Sequence, residues 1–193
     1  MPLLAPEPPS QAAEIVHSTF RTFAENGTFR TPALRNATGP LQLTQPHQAF
    51  TLGLADLVAG KGLEAATPTG WRYLVQQGDK TLASAETALT GTAPEHVFAA
   101  INEGRFVAST ADAIRTARAL PEVSKGNFEL RLLRVPGLYF TAVWLHGAQG
   151  TSDVLVPLDE MAGKPVPAAQ LLKDLASKAH AAAAVGPADR SGG

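Results

Sequence analysis

Between Asn127 and Gly147 the chain reads NFELRLLRVPGLYFTAVWLHG, two apolar extended runs on either side of Pro136-Gly137. Successive side chains of a strand point to opposite faces, so a two-residue turn that sets Val135 opposite Leu138 sorts the runs into two sets. One set holds Phe128, Leu130, Leu132, Val143 and Leu145; the other holds Leu133, Val135, Leu138, Phe140, Ala142 and Trp144. A sheet wetted on one side would show a polar residue at every second position, and neither set does. The pair therefore belongs inside a sheet with helices on both faces. A Pro-Gly pair favours turns that splay a tight hairpin, so a wider loop is the alternative, and a slip of one residue would exchange the two faces.

The rest of the chain supplies the cover. Ser10 is a good N-cap, and Ile15, Val16, Phe20 and Phe23 follow helical spacing until Asn26-Gly27. Pro46 suits the first turn of a second helix with Phe50, Leu54, Leu57 and Val58 on its buried stripe, ending at Gly60. WRYLVQQ, Gly78-Asp79 and KTLASAETALT then spell a hairpin. Its straight register sets Trp71 opposite Glu86, Tyr73 opposite Ser84 and Val75 opposite Leu82, with Arg72–Ala85 and Leu74–Ala83 on the other face. Thr92-Ala-Pro-Glu95 is a capping box that predicts a helix with Val97, Phe98 and Ile101 inward, closed by Gly104. Ser109-Thr-Ala-Asp112 predicts another, carrying Ile114, Ala117 and Leu120 and halted by Pro121. DVLVPL follows the central hairpin as a third strand, and a last helix buries Leu171, Leu172, Leu175, Ala176 and Ala179 before Gly186.

These elements predict an α+β fold, a central and mostly antiparallel sheet of about five strands with helices on both faces, in the order ααββααβββα. Without its first helix, and with the paired middle helices counted as one, that order resembles the order of profilin-like and roadblock-type domains. The resemblance is one of element order alone and implies no function. Residues 1–9 carry four prolines and are expected to form a flexible tail, residues 10–185 a single domain, and residues 186–193 a second tail. No internal repeat is visible.

With 193 residues, 45% of them hydrophobic and 17% charged, the chain suffices for one sizeable core. Lys and Arg total 16 against 17 Asp and Glu and are scattered, which disfavours nucleic acid and anionic membranes as partners. The absence of cysteine removes disulfides, thiolate metal sites and a cysteine nucleophile, and suits a reducing compartment. No apolar run approaches the roughly 18 residues of a membrane span, and MPLLAPEPPSQ lacks the basic leader and apolar core of a secretory signal. A soluble, cytoplasmic protein is expected.

Local chemistry is sparse. The five histidines, His17, His47, His96, His146 and His180, show no metal-binding spacing, and most are expected at the surface or rim. No serine sits in a G-x-S-x-G or S-x-x-K pattern. Gly60-Lys61-Gly62 reads as a helix stop, and His146, Ser152 and Asp153 as strand ends and turn chemistry. No catalytic residue, metal or cofactor is assigned, and the residues decide neither for nor against catalysis.

One constellation is kept as a candidate ligand site: Trp71, Tyr73, Ser84 and Glu86 on one face of the hairpin, with Arg72 nearby. Glu86 is either exposed at a sheet edge or partly buried, and only the second makes it an acid, base or ligand anchor. The expected function is a non-enzymatic protein-interaction or adaptor module, homodimeric or meeting another protein through a sheet edge or helix face. The alternative is a small-molecule-binding protein or enzyme with a pocket lined by Trp71, Tyr73 and Glu86.

Overall fold

The structure, a computed structural model, describes residues 3–91, 95–148, 150–158 and 163–184. Its elements run α1 (Ser10–Glu25), α2 (Pro32–Arg35), β1 (Gln42–Thr51), α3 (Leu54–Val58), β2 (Thr67–Gln77), β3 (Lys80–Thr90), β4 (Glu95–Asn102), α4 (Arg105–Arg118) and α5 (Pro121–Lys125). After them come β5 (Phe128–Val135), β6 (Phe140–Gly147), β7 (Val154–Pro157), β8 (Val166–Pro167) and α6 (Ala168–Ala184). All eight strands form one mixed sheet in the order β4-β3-β2-β1-β5-β6-β7-β8, antiparallel except where β1 and β5 run parallel at its centre.

The hairpin around Pro136-Gly137 is central, and its connection is wider than two residues. Val135 pairs with Phe140, and a 3-10 turn over Pro136–Leu138 leads to Tyr139. The shift from the tight-turn register is two residues, so the faces are unchanged. Phe128, Leu130, Leu132, Val143 and Leu145 pack with Ala113, Ile114 and Ala117 of α4. Leu133, Val135, Phe140, Ala142 and Trp144 pack with Leu171, Leu175 and Ala179 of α6. Under α1, on the α6 side, Val16 and Phe20 cover Trp71, Tyr73, Val75, Ala83 and Ala85. Burying each such Leu or Phe contributes about 1.5–3 kcal/mol, which is why neither face of this sheet is left to water.

Three expectations fail. The helix expected from Pro46 is strand β1 followed by the five-residue α3. Pro46, which has no N–H to give, sits in a bulge between the Thr44–Leu74 and His47–Arg72 pairs, beside Gln45 at φ 51°. The helix expected after Thr92 is strand β4, although residues 92–94 of its capping box lie outside the described residues. The helix expected to open at Ser109 begins at Arg105 instead. The sheet thus has eight strands rather than about five, and with β1 and β4 no longer helices the profilin- and roadblock-like order does not hold.

A repeat invisible in the sequence appears in the topology. Strands β1–β4 closed by α4, and β5–β8 closed by α6, are each an antiparallel meander ending in a helix, joined along parallel first strands. A pseudo-two-fold axis along the strands relates them, which puts the closing helices on opposite faces. The segment 1–9 is also tied down in part. Leu3 is buried, and Leu4 pairs with β5, its N–H donating to the Phe128 carbonyl and its carbonyl accepting from the Leu130 N–H, both at 2.9 Å. The expected tail at 186–193 lies outside the described residues.

Tyr139 is 94% exposed and left-handed at φ 51°, a conformation that costs a bulky residue about 1–2 kcal/mol. Tyr139→Gly removes that strain, loses no packing and adds the chain entropy of glycine. It is expected to stabilise the fold by about 0.5–1 kcal/mol in urea denaturation.

Candidate functional site

The α4 face of the sheet is apolar over β5 and β6 and polar over β2 and β3. A bulge between Val75 and Gln76 shifts the β2–β3 hairpin by one residue from its straight register. Arg72 is consequently opposite Glu86, Tyr73 opposite Ala85 and Leu74 opposite Ser84. The expected constellation is therefore split. Ser84 and Glu86 share Arg72's face, while Trp71 and Tyr73 point the other way, into the core beneath α1. Burial there pushes the Tyr73 hydroxyl up to about 12. Gly70 permits the close approach of the two strands, since a Cβ would run into the Thr87 carbonyl oxygen.

Glu86, 9% exposed, is the hub of a charged cluster drawn from five elements. The Arg72 Nε lies 3.1 Å from its Oε1, out of line for a hydrogen bond, and Arg134 Nη2 at the end of β5 donates to both carboxylate oxygens at 2.9 Å. Asn102 Nδ2 on β4 donates to Oε1 at 3.3 Å. Arg72 Nη1 donates to Thr110 Oγ1 on α4 at 3.0 Å, and that hydroxyl donates to the Phe106 carbonyl. Desolvation lowers the Arg72 guanidinium to about 10; Glu86 opposes the shift and Arg134 adds to it. Such a buried cluster stabilises little in net terms, because desolvation offsets the attraction, but it strongly disfavours losing one partner.

His47, expected at the start of a helix, is on β1 facing Arg72 and is fully buried, unlike the surface or rim position expected of most of the histidines. Its Nδ1–H donates to the Gln45 carbonyl at 2.8 Å, and among the described residues Nε2 has no hydrogen-bond partner. Burial, then the Arg72 charge, pushes its pKa down to about 3. His96 is also buried, and desolvation lowers it too. Ser84 Oγ is buried with no hydrogen-bond partner among the described residues.

Beside this cluster a cleft of about 320 Å³ opens between the start of α4 and the sheet. Arg72, Glu86 and Arg134 form its floor, Phe106, Val107 and Leu158 its apolar wall, and Glu103 its rim. A larger groove of about 700 Å³ runs between α1 and the start of β1, but no buried charge lines it. Asp153 is structural: it accepts the Trp144 Nε1–H and Gly147 N–H at 2.8 Å and lies 3.2 Å from His146 Nδ1, fastening the β6–β7 connection. Among the described residues no three His, Asp or Glu side chains are placed to hold a metal ion, and no helix is long and apolar enough to cross a membrane.

Sequence reasoning missed Arg134, Asn102, Thr110 and His47. The available signal was cross-strand charge: moving the hairpin by one residue sets Arg72 against Glu86, a pairing the straight register forgoes. No family model, no curated protein and no solved structure matches the chain.

Proposed function

We propose that the protein is a non-enzymatic interaction module that pairs with a second copy of itself through the outer edge of β4. The observation that carries this reading is the edge itself. β4 is eight residues long, ends the sheet, and reads EHVFAAIN, without lysine, arginine or proline to deter another strand, its one interruption being the bulge at Ala99. Val97 is 42% exposed, and the one hydrogen bond that its backbone N–H groups make outside the sheet, among the described residues, is from His96 to Gln11 Oε1.

The strand is self-complementary. Antiparallel pairing centred between Phe98 and Ala99 sets Glu95 against Asn102 and His96 against Ile101, so no two carboxylates meet. Such an isologous contact would continue the sheet from one protomer into the other. Two carboxylates support the non-enzymatic half of the reading, since the buried Glu86 and the part-buried Asp153 are each held by three internal partners.

Light scattering over a concentration series is expected to give twice the 20.1 kDa chain mass at tens of micromolar. Val97→Lys, at an exposed edge position, is expected to return the mass to one chain with an unchanged unfolding midpoint. A wild-type chain that stays monomeric at high micromolar concentration sinks the proposal.

A further inference from the structure

We infer that the cleft between α4 and the sheet is a binding site for a small organic monocarboxylate with a compact apolar body. The inference does not rest on the β4 pairing, although Asn102 at the end of β4 also lines the cleft.

The guanidinium of Arg134 carries the inference. One nitrogen, Nη2, makes both of its bonds to Glu86; among the described residues Nε and Nη1 make none, and the side chain is one-third exposed in the cleft. A guanidinium presents its donors as a planar fork matched to a carboxylate, and here part of the fork is unoccupied. The floor also carries an excess of charge: Arg72 and Arg134 against Glu86 leave one positive unit beneath the Glu103 carboxylate at the rim. The α4 N-terminus adds to it. Gly104 offers no side-chain cap, no acidic residue occupies the first turn, and Phe106 and Val107 of that turn line the same cleft.

Two features limit the ligand. Glu103 stands at the rim, its Oε2 accepting the Ala33 N–H, and its charge opposes a polyanion. The volume of about 320 Å³ lies at the small end of the range of ligand pockets, which run from about 300 to 1,000 Å³. Phe106, 43% exposed, and Leu158 offer an apolar wall to the body of the molecule.

The test titrates the full chain with sodium benzoate, acetate, inorganic phosphate and chloride at matched ionic strength, following backbone amide and arginine side-chain N–H resonances. Benzoate is expected to give saturable shifts at the Phe106 and Val107 amides and at the Arg134 Nε–H, with acetate weaker and chloride silent. Arg134→Gln should weaken benzoate by about tenfold or more, the worth of a charge-assisted hydrogen bond. Phe106→Glu, at an exposed position that leaves the charged cluster intact, should abolish binding while the unfolding midpoint holds. No saturable shift, phosphate binding in preference to benzoate, or equal binding by Phe106→Glu would each overturn the assignment.

Discussion

Glu86→Ala is expected to destabilise the fold by about 3–5 kcal/mol, a large share of the 5–15 kcal/mol that holds a typical domain together. The substitution removes the counter-charge of Arg72, 4% exposed, and the partner of Arg134, leaving two guanidiniums facing each other in a poorly solvated site. Glu86→Gln keeps the shape but loses the charge, and turns an amide N–H₂ toward donors that have nothing to accept with. It should therefore fall close to the alanine variant rather than to wild type. A paired replacement, Arg72→Met with Glu86→Leu, removes both charges and is expected to cost well below the sum of the single changes. Urea denaturation of wild type, Arg72→Met, Glu86→Leu and the double variant closes a double-mutant cycle, and additive losses would show that the two residues do not act as a unit.

The strength of that coupling depends on a bulge, and bulges separate what was legible in this sequence from what was not. The β5–β6 hairpin was readable because its period of two is unbroken from Phe128 to Val135 and from Phe140 to Gly147, and because the slip from the simplest turn was an even number. The final helix was readable for the same kind of reason: Leu171, Leu175 and Ala179 repeat at helical spacing and are buried as expected. In β4 the rhythm breaks. Phe98 pairs with Thr87 and Ala100 with Glu86, so Ala99 is extra, and the inward side chains His96, Phe98 and Ile101 are spaced two and then three apart. Phe98 and Ile101, three apart after a capping box and preceded by Val97, imitate one turn of a helix. The bulge at Gln45-Pro46 does the same to β1, where Pro46 also matches the first-turn position of a helix.

The candidate site suffered from the same rule. All five of its sequence-chosen members are buried strand residues, and their place on the hairpin was legible. Their division between faces was not, because a single extra residue at Leu82 reverses the direction of everything after it. Arg134 and Thr110 were beyond local reasoning altogether. They meet Glu86 and Arg72 across 48 and 38 residues of sequence, brought there by the parallel β1–β5 junction and by α4 crossing the sheet.

His47 yields the second large effect, in the dependence of stability on pH. In the unfolded chain the imidazole takes up its proton near 6.5; in the fold it does so only near 3, because burial and the neighbouring arginines oppose the charge. Between these values the unfolded state binds a proton that the native state refuses, so stability present above pH 6.5 is lost as the pH falls and the loss ends near pH 3. The slope is about 1.4 kcal/mol per pH unit, which amounts to about 2 kcal/mol between pH 7 and pH 5 and about 4–5 kcal/mol over the whole window. The upper part of the window is diagnostic, since ordinary carboxylates do not titrate until lower pH. His96, lowered in the same direction by burial, leaves a smaller slope of the same sign. His47→Asn keeps an N–H able to reach the Gln45 carbonyl and cannot titrate, so its unfolding free energy is expected to be flatter than that of wild type between pH 7 and pH 5. Equal slopes for the two proteins would mean that the buried ring is protonated in the native state and that the arginines beside it have moved apart to admit the charge.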